Sequence, residues 1–136
     1  MTAPATKVRV LLADDEAHVR LLVRSVVAGI GYEVVGEAAD GKRAVDLFDT
    51  LAPDLVLLDI NMPIMDGIAT LKALRAKSES VAIVMLTSLA STEIVEECLE
   101  AGATYHVRKD LPISEKKEEI REAWLSHVAD SDEAAG

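Results

Sequence analysis

Apolar positions along the chain follow two alternating rhythms. Short continuous runs give way to stretches in which apolar residues return every three or four positions. Lys7-Val8-Arg9-Val10-Leu11-Leu12-Ala13 reads as a strand that runs into Asp14-Asp15. Val19, Leu22, Val23, Val26 and Val27 then recur at helical spacing, with Arg20 and Arg24 on the other side, until Gly29 and Gly31 stop the helix. Tyr32 to Ala38 is a second strand. Gly41 opens a helix whose apolar stripe is Ala44, Val45, Leu47 and Phe48, ended by Pro53. Leu55-Val56-Leu57-Leu58 suits a strand buried on both faces, and it delivers Asp59 where the run stops. Met62 precedes Pro63, which pushes its backbone away from helical geometry. Asp66-Gly67 then restarts the chain as a helix carrying Ile68, Leu71 and Leu74, with Asp66 as N-cap. Val81 to Leu86 is another apolar run, ending at Thr87-Ser88. Ile94, Val95, Cys98 and Leu99 stripe the next helix, closed by Gly102. Tyr105 to Arg108 forms a short strand ending at Lys109. Ser114 is read as the cap of a last helix with Ile120, Ala123, Trp124, His127 and Val128 on one side. Met1 to Thr6 and Ala129 to Gly136 are read as flexible ends around a domain over 7–128.

Five strands alternating with five helices predict an α/β fold, a doubly wound parallel sheet with helices on both faces. Ligands of such sheets bind outside the carboxyl ends of the strands. Those ends carry Asp14-Asp15, Asp59, Thr87-Ser88 and Lys109, so charged and hydroxyl groups should meet at one edge.

Composition narrows the choice. With 136 residues the chain is long enough for one core. Half the residues are hydrophobic but only 3% are aromatic, so Leu, Val, Ile and Ala must fill it. A net charge of −10 argues against nucleic-acid binding by this domain. The single cysteine, Cys98, excludes an internal disulfide and a cysteine zinc cluster, and fits a reducing cytoplasm. Its apolar flanks mark it as a buried small hydrophobe. No signal pattern opens the chain and no apolar run is long enough to span a membrane.

Three carboxylates crowded at one sheet edge repel one another, and a divalent cation relieves that repulsion. Oxygen-only ligands without His or Cys select a hard ion, Mg²⁺ foremost. A carboxylate beside Mg²⁺ and a lysine ammonium is suited to accept a phosphoryl group, and a hydroxyl such as that of Thr87 can hydrogen-bond the product.

On these residues the chain resembles the receiver domain of bacterial two-component response regulators, from Lys7 to about Val128. The matching motifs are Asp14-Asp15, Asp59 through Gly67, Thr87-Ser88 and Ala101-Gly102-Ala103 leading to Lys109. The resemblance implies a flavodoxin-like sheet of order 2-1-3-4-5. It implies Asp59 as phosphoacceptor, and Asp15, Asp59 and the Asn61 backbone carbonyl as Mg²⁺ ligands. Asp14 would act through a metal-bound water and by orienting the lysine. Thr87 and Lys109 would receive the phosphoryl oxygens, with Thr87, Ser88 and His106 forming the switch.

Two positions depart from the family pattern. Where the family usually has an aromatic three residues before the lysine, this chain has His106, which is expected to take the switch role; Tyr105 should point to the opposite side of the strand. Where many receivers have proline after the lysine, Asp110 stands, which predicts a trans peptide there, with Pro112 supplying some rigidity. By the same analogy Asn61 and Leu89 flank the phosphoryl site, and the apolar Leu89 should shield the acyl phosphate and slow self-dephosphorylation. His18 reads as a surface or partner-docking residue, and Trp124 as core packing or an interface anchor. Glu115 to Glu119 reads as a solvated helix face, and Glu93, Glu96, Glu97 and Glu100 as an acidic outer face.

The resulting expectation is a cytoplasmic signalling switch rather than an enzyme acting on a separate substrate. A sensor histidine kinase or phosphotransfer protein would phosphorylate Asp59. The face of the fourth helix, fifth strand and last helix would then bind a downstream protein, or a second copy in a phosphorylation-dependent homodimer. The chain could stand alone, relay phosphate, or be the excised receiver of a longer DNA-binding transcriptional regulator. Two other classes compete. An aspartate-nucleophile phosphatase of the haloacid dehalogenase type expects Asp where Asn61 stands. A receiver-like binding module would never turn over phosphate.

Overall fold

The computed structural model describes residues 7–88 and 91–135. Its elements alternate as the apolar pattern does: β1 (Arg9–Ala13), α1 (Ala17–Ile30), β2 (Glu33–Ala38), α2 (Gly41–Leu51) and β3 (Leu55–Asp59), followed by α3 (Gly67–Lys77), β4 (Ala82–Thr87), α4 (Thr92–Glu100), β5 (Tyr105–Arg108) and α5 (Ile113–Ala135). The strands form one parallel sheet in the order β2-β1-β3-β4-β5, a flavodoxin-like arrangement with a helix in each connection.

The pleat divides the sheet's side chains between two cores. Val10, Leu12, Leu55, Leu57, Val84 and Leu86 pack with Val23, Val26 and Val27 of α1 and with Ile120 and Ala123 of α5. Leu11, Val56, Leu58, Ile83 and Met85 pack on the other face with Ala44 of α2, Leu71 and Leu74 of α3, and Cys98 of α4. Every residue of β3 and β4 is buried, as continuous apolar runs require.

Local signals fix the connections. Asp40, Asp66 and Ser91 cap α2, α3 and α4 by accepting from the backbone N–H three residues on. Gly67 N–H donates to the Ile60 carbonyl at 2.7 Å. A Cβ at Gly67 would lie 2.1 Å from the Asp59 carbonyl oxygen. The start of α3 is thus pressed against the backbone that ends β3.

Some sequence expectations need correction. α5 begins at Ile113, with Lys116 N–H bonded to the Pro112 carbonyl, so Ser114 lies in the first turn and is not the cap. The helix continues to Ala135, past the domain end placed at Val128, because no Gly or Pro interrupts the tail before Gly136. Gly29 lies within α1, and Gly31, at φ +96°, is its left-handed C-cap. Leu22 and Leu99 sit at the rims of their stripes and are exposed. Lys116, read as part of a solvated face, is only 7% exposed, because it lies one turn before Ile120 on the inward side of α5.

Candidate functional site

Because the strands are parallel, their carboxyl ends all emerge at the same edge. Asp14 directly follows β1, Asp59 is the last residue of β3, Thr87 is the last of β4, and Lys109 directly follows β5. The Lys109 ammonium lies 2.7 Å from Asp14 Oδ2 and 3.0 Å from Asp59 Oδ1. Carboxylate oxygens of Asp14, Asp15 and Asp59 fall within 4.8 Å of one another. Asp14 and Asp59 are buried, whereas Asp15 is exposed at the mouth.

Charge and burial pull against each other here. Burial pushes the Asp59 carboxyl above the ordinary carboxylate range, and the Asp14 charge adds to this. The Lys109 ammonium and the Asn61 N–H, 3.4 Å from Oδ1, offset only part of it. For Lys109, burial alone would lower the ammonium's pKa. Its hydrogen bonds to Asp14 and Asp59, and their charges, reverse this and hold it above its usual value. With all groups ionised, three carboxylates and one ammonium leave two negative charges. That excess and the all-oxygen donor set fit a hard divalent cation.

The Thr87 hydroxyl is buried without a hydrogen-bond partner among the described residues. Such a group ordinarily costs stability unless something outside the described residues pairs with it. Asp14 Oδ2, by contrast, is paired with the Lys109 ammonium 2.7 Å away. Lys109 N–H donates to the Thr87 carbonyl at 2.6 Å, tying the ends of β4 and β5 together.

The remaining predicted residues lie around this cluster. The Asn61 side chain is exposed, two residues beyond Asp59, and Ser88 is exposed next to Thr87. His106 is half-buried on β5, opposite Met85. Tyr105 is more exposed and, as alternation requires, lies on the α5 side with Val107, beside Ala123 and His127, its ring centroid 5.7 Å from that of His106. The described residues contain no cis peptide, and Asp110 is gripped by both Nε and Nη2 of Arg108. Cys98 is buried, and burial and then Glu97 push its thiol pKa up, which leaves it a packing residue. Leu89, assigned a shielding role, lies outside the described residues. An open cleft of about 490 Å³ by Phe48, Pro53, Lys77 and Trp124 lies at the opposite, amino-terminal edge of the sheet and holds none of the carboxylate cluster.

Sequence reasoning missed Arg20, which donates from Nη1 to the Asp14 carbonyl at 2.8 Å, and Glu37, which lies against Arg20. Periodicity set Arg20 aside as an outward residue of α1 and gave Glu37 no role.

The family model of the response regulator receiver domain matches residues 10–121. The chain belongs to that family. The receiver is 39% identical over 121 residues to the transcriptional regulatory protein PdtaR of Mycobacterium tuberculosis, a match covering 85% of this chain and 58% of PdtaR. It is 38% identical over 109 residues to protein CcdB of Bacillus subtilis, covering 80% of this chain and 89% of CcdB. Among solved structures, a two-component response regulator of the LuxR family from Aurantimonas superposes with a TM-score of 0.84 at 29% identity, covering 89% of the receiver and 87% of that chain. The receiver thus spans less than two thirds of PdtaR but most of CcdB. Among the described residues, no helix is long and apolar enough to cross a membrane.

Proposed function

We propose that this receiver accepts a phosphoryl group on Asp59 from the phosphohistidine of a sensor histidine kinase or phosphotransfer protein, and that the modification changes its affinity for a downstream partner. The observation that carries the reading is the Lys109 ammonium shared between Asp14 and Asp59, at the sheet edge where β4 ends in a buried Thr87 hydroxyl without a hydrogen-bond partner among the described residues.

Asp59 would attack phosphorus through a carboxylate oxygen. A P–O bond forms, the P–N bond to the donor imidazole breaks, and its electron pair stays on that nitrogen, leaving an acyl phosphate on Asp59. Lys109 is placed to neutralise a phosphoryl oxygen, and Thr87 to donate to another. Asp15, Asp59 and the Asn61 carbonyl would hold Mg²⁺, with Asp14 acting through a bound water. When bound there, Mg²⁺ would neutralise charge on the transferring oxygens. The hydroxyl of Thr87 gains a partner only after transfer, so phosphorylation favours a state that draws the end of β4 inward. Half-buried His106, three residues before Lys109, would follow that movement as the switch residue.

The output surface would be α4, β5 and α5, where Glu93, Glu96, Glu97 and Glu100 are exposed and present an acidic face. The protein would turn over no separate substrate. A longer regulator in which this receiver precedes an output domain is a second reading, supported by its covering only 58% of PdtaR. The phosphatase alternative is not carried forward, since the chain belongs to the receiver family and has Asn61 where that chemistry needs a second Asp.

Reduction with borohydride tests the acceptor. An acyl phosphate on Asp59 would be converted to homoserine at position 59 after treatment with acetyl phosphate and Mg²⁺. Homoserine at another aspartate would move the acceptor, and none would remove the phosphoryl reading.

A further inference from the structure

Arg20 and Glu37 are not residue types that announce phosphoryl chemistry, yet they hold the turn that presents two of the carboxylates. The Arg20 guanidinium donates from Nη1 to the Asp14 backbone carbonyl at 2.8 Å, while its Nε lies 3.4 Å from Glu37 Oε1. Glu37 Oε2 also accepts from Arg24 Nη1 at 2.8 Å. The Arg20 and Glu37 side chains are 21% and 27% exposed, so their pairing is less screened than a surface pair. Every other polar atom of Asp14 is engaged as well. Its N–H donates to the Ala38 carbonyl at 3.0 Å, Oδ1 accepts from Glu16 N–H at 2.9 Å, and Oδ2 faces Lys109. Arg20 is therefore the tie from α1 to the Asp14 backbone, and Glu37 fixes Arg20 from β2.

A break in strand register puts Glu37 there. Val34 packs into the α1 and α5 core, whereas Ala38 belongs to the opposite core, although residues four apart in a regular strand share a face. The register shifts between Val10 and Leu11, so that Val10 faces Val34 but Leu11 faces Gly36. A Cβ on Gly36 would meet Leu51 Cδ1 at 2.5 Å, on the α2 side. Glu37, the next residue, therefore turns to the α1 side, where Arg20 and Arg24 stand. Bulges beside functional sites commonly re-aim a side chain in this way.

We propose that Arg20 and Glu37 are positioning residues that hold the Asp14-Asp15 turn in the geometry a divalent cation needs. This rests on the cation reading of the carboxylate cluster. Neither residue would touch the cation, and the sign of the effect separates positioning from charge. Arg20 is a positive group beside a negative site, so on Coulomb's law alone its removal would tighten cation binding. Loss of a positioning contact weakens it instead, by about tenfold where the contact orients a ligand.

Titration calorimetry with Mg²⁺ on the full chain decides the matter. Arg20→Ala should weaken binding about tenfold. Arg20→Lys keeps the charge but lacks the planar fork, and should weaken it too. Arg24→Ala loses the same charge and the same Glu37 partner but no contact to Asp14, and should bind as wild type or tighter. Adding Glu37→Gln to Arg20→Ala should cost no more than Arg20→Ala alone, because Glu37 acts through Arg20. Unfolding midpoints without Mg²⁺ establish that each variant is folded, and Arg20→Lys carries the test should Arg20→Ala not fold. Wild-type or tighter binding by both Arg20 variants, or an equal loss in Arg24→Ala, would overturn the proposal. Absence of Mg²⁺ binding by the wild-type chain would overturn the cation reading, and this inference with it.

Discussion

Asp59 is held in a place that favours its neutral form. Burial raises its pKa, and Lys109 restores only part of the lost solvation. Below the ordinary value of 3.8, both folded and unfolded chains are protonated there and the group contributes nothing to stability. As pH rises from 3.8 to the raised folded value, the folded chain keeps its proton longer, so stability from this group falls and the penalty persists at neutral pH. Asp59→Asn should therefore raise the unfolding midpoint at pH 7 without divalent ions, and the gain should vanish on acidification below 3.8. A lower midpoint for Asp59→Asn at pH 7 would show that the Lys109 bond outweighs burial. Lys109 has the same direction of dependence at higher pH: its stabilisation is fully present below 10.5 and is lost as pH climbs through its raised value. The Thr87 hydroxyl makes no hydrogen bond among the described residues, so Thr87→Ala should change stability by less than about 1 kcal/mol. The same variant should lose the phosphorylation-linked change in partner binding, and retention of that change would remove Thr87 from the switch.

At this scale the sequence exposed five residues well. Asp14, Asp15, Asp59, Thr87 and Lys109 each stand where an apolar run stops, and parallel strands bring those stops to one edge. Arg20, Glu37 and the inward Lys116 were not legible. The first two depend on a bulge that alternation cannot reveal, and the last on which side of α5 meets the sheet.

Among the elements, the junction between β3 and α3 is closely constrained. Gly67 lets the first turn of α3 lie against the Asp59 and Ile60 backbone, and its N–H closes the loop onto the Ile60 carbonyl. A methyl there meets backbone, which cannot swing aside as a side chain could. Gly67→Ala should cost about 1–3 kcal/mol and displace the acceptor loop, seen as a lower urea midpoint with an unchanged slope and slower phosphoryl uptake. Wild-type values for both would mean the loop can give way. The elements themselves were readable because caps and apolar periods agree: Asp66 starts and Gly102 stops what the stripes predict. The boundaries of α5 were not, since Ser114 resembles a cap wherever it falls and the small, polar tail is compatible with helix.

For the whole molecule, the net charge is −10, of which two negative charges belong to the pocket when it is ionised. Divalent cations should bind the folded chain in preference to the unfolded one. At about a hundredfold excess over Kd, the gain is about 2.7 kcal/mol, enough to raise the unfolding midpoint by several degrees. Chelator should reverse the shift, and Asp15→Asn should diminish it. An equal rise with monovalent salt at matched ionic strength would assign the effect to general screening.

The central claim is that the Asp14, Asp59, Lys109 and Thr87 cluster makes Asp59 a phosphoacceptor, and intact mass tests it most directly. The wild-type chain incubated with acetyl phosphate and Mg²⁺ should gain a single phosphoryl group. The addition should be absent with chelator and absent in Asp59→Asn. A folded, Mg²⁺-binding chain that gains no phosphoryl group, or an Asp59→Asn variant that gains one as readily as wild type, would contradict it.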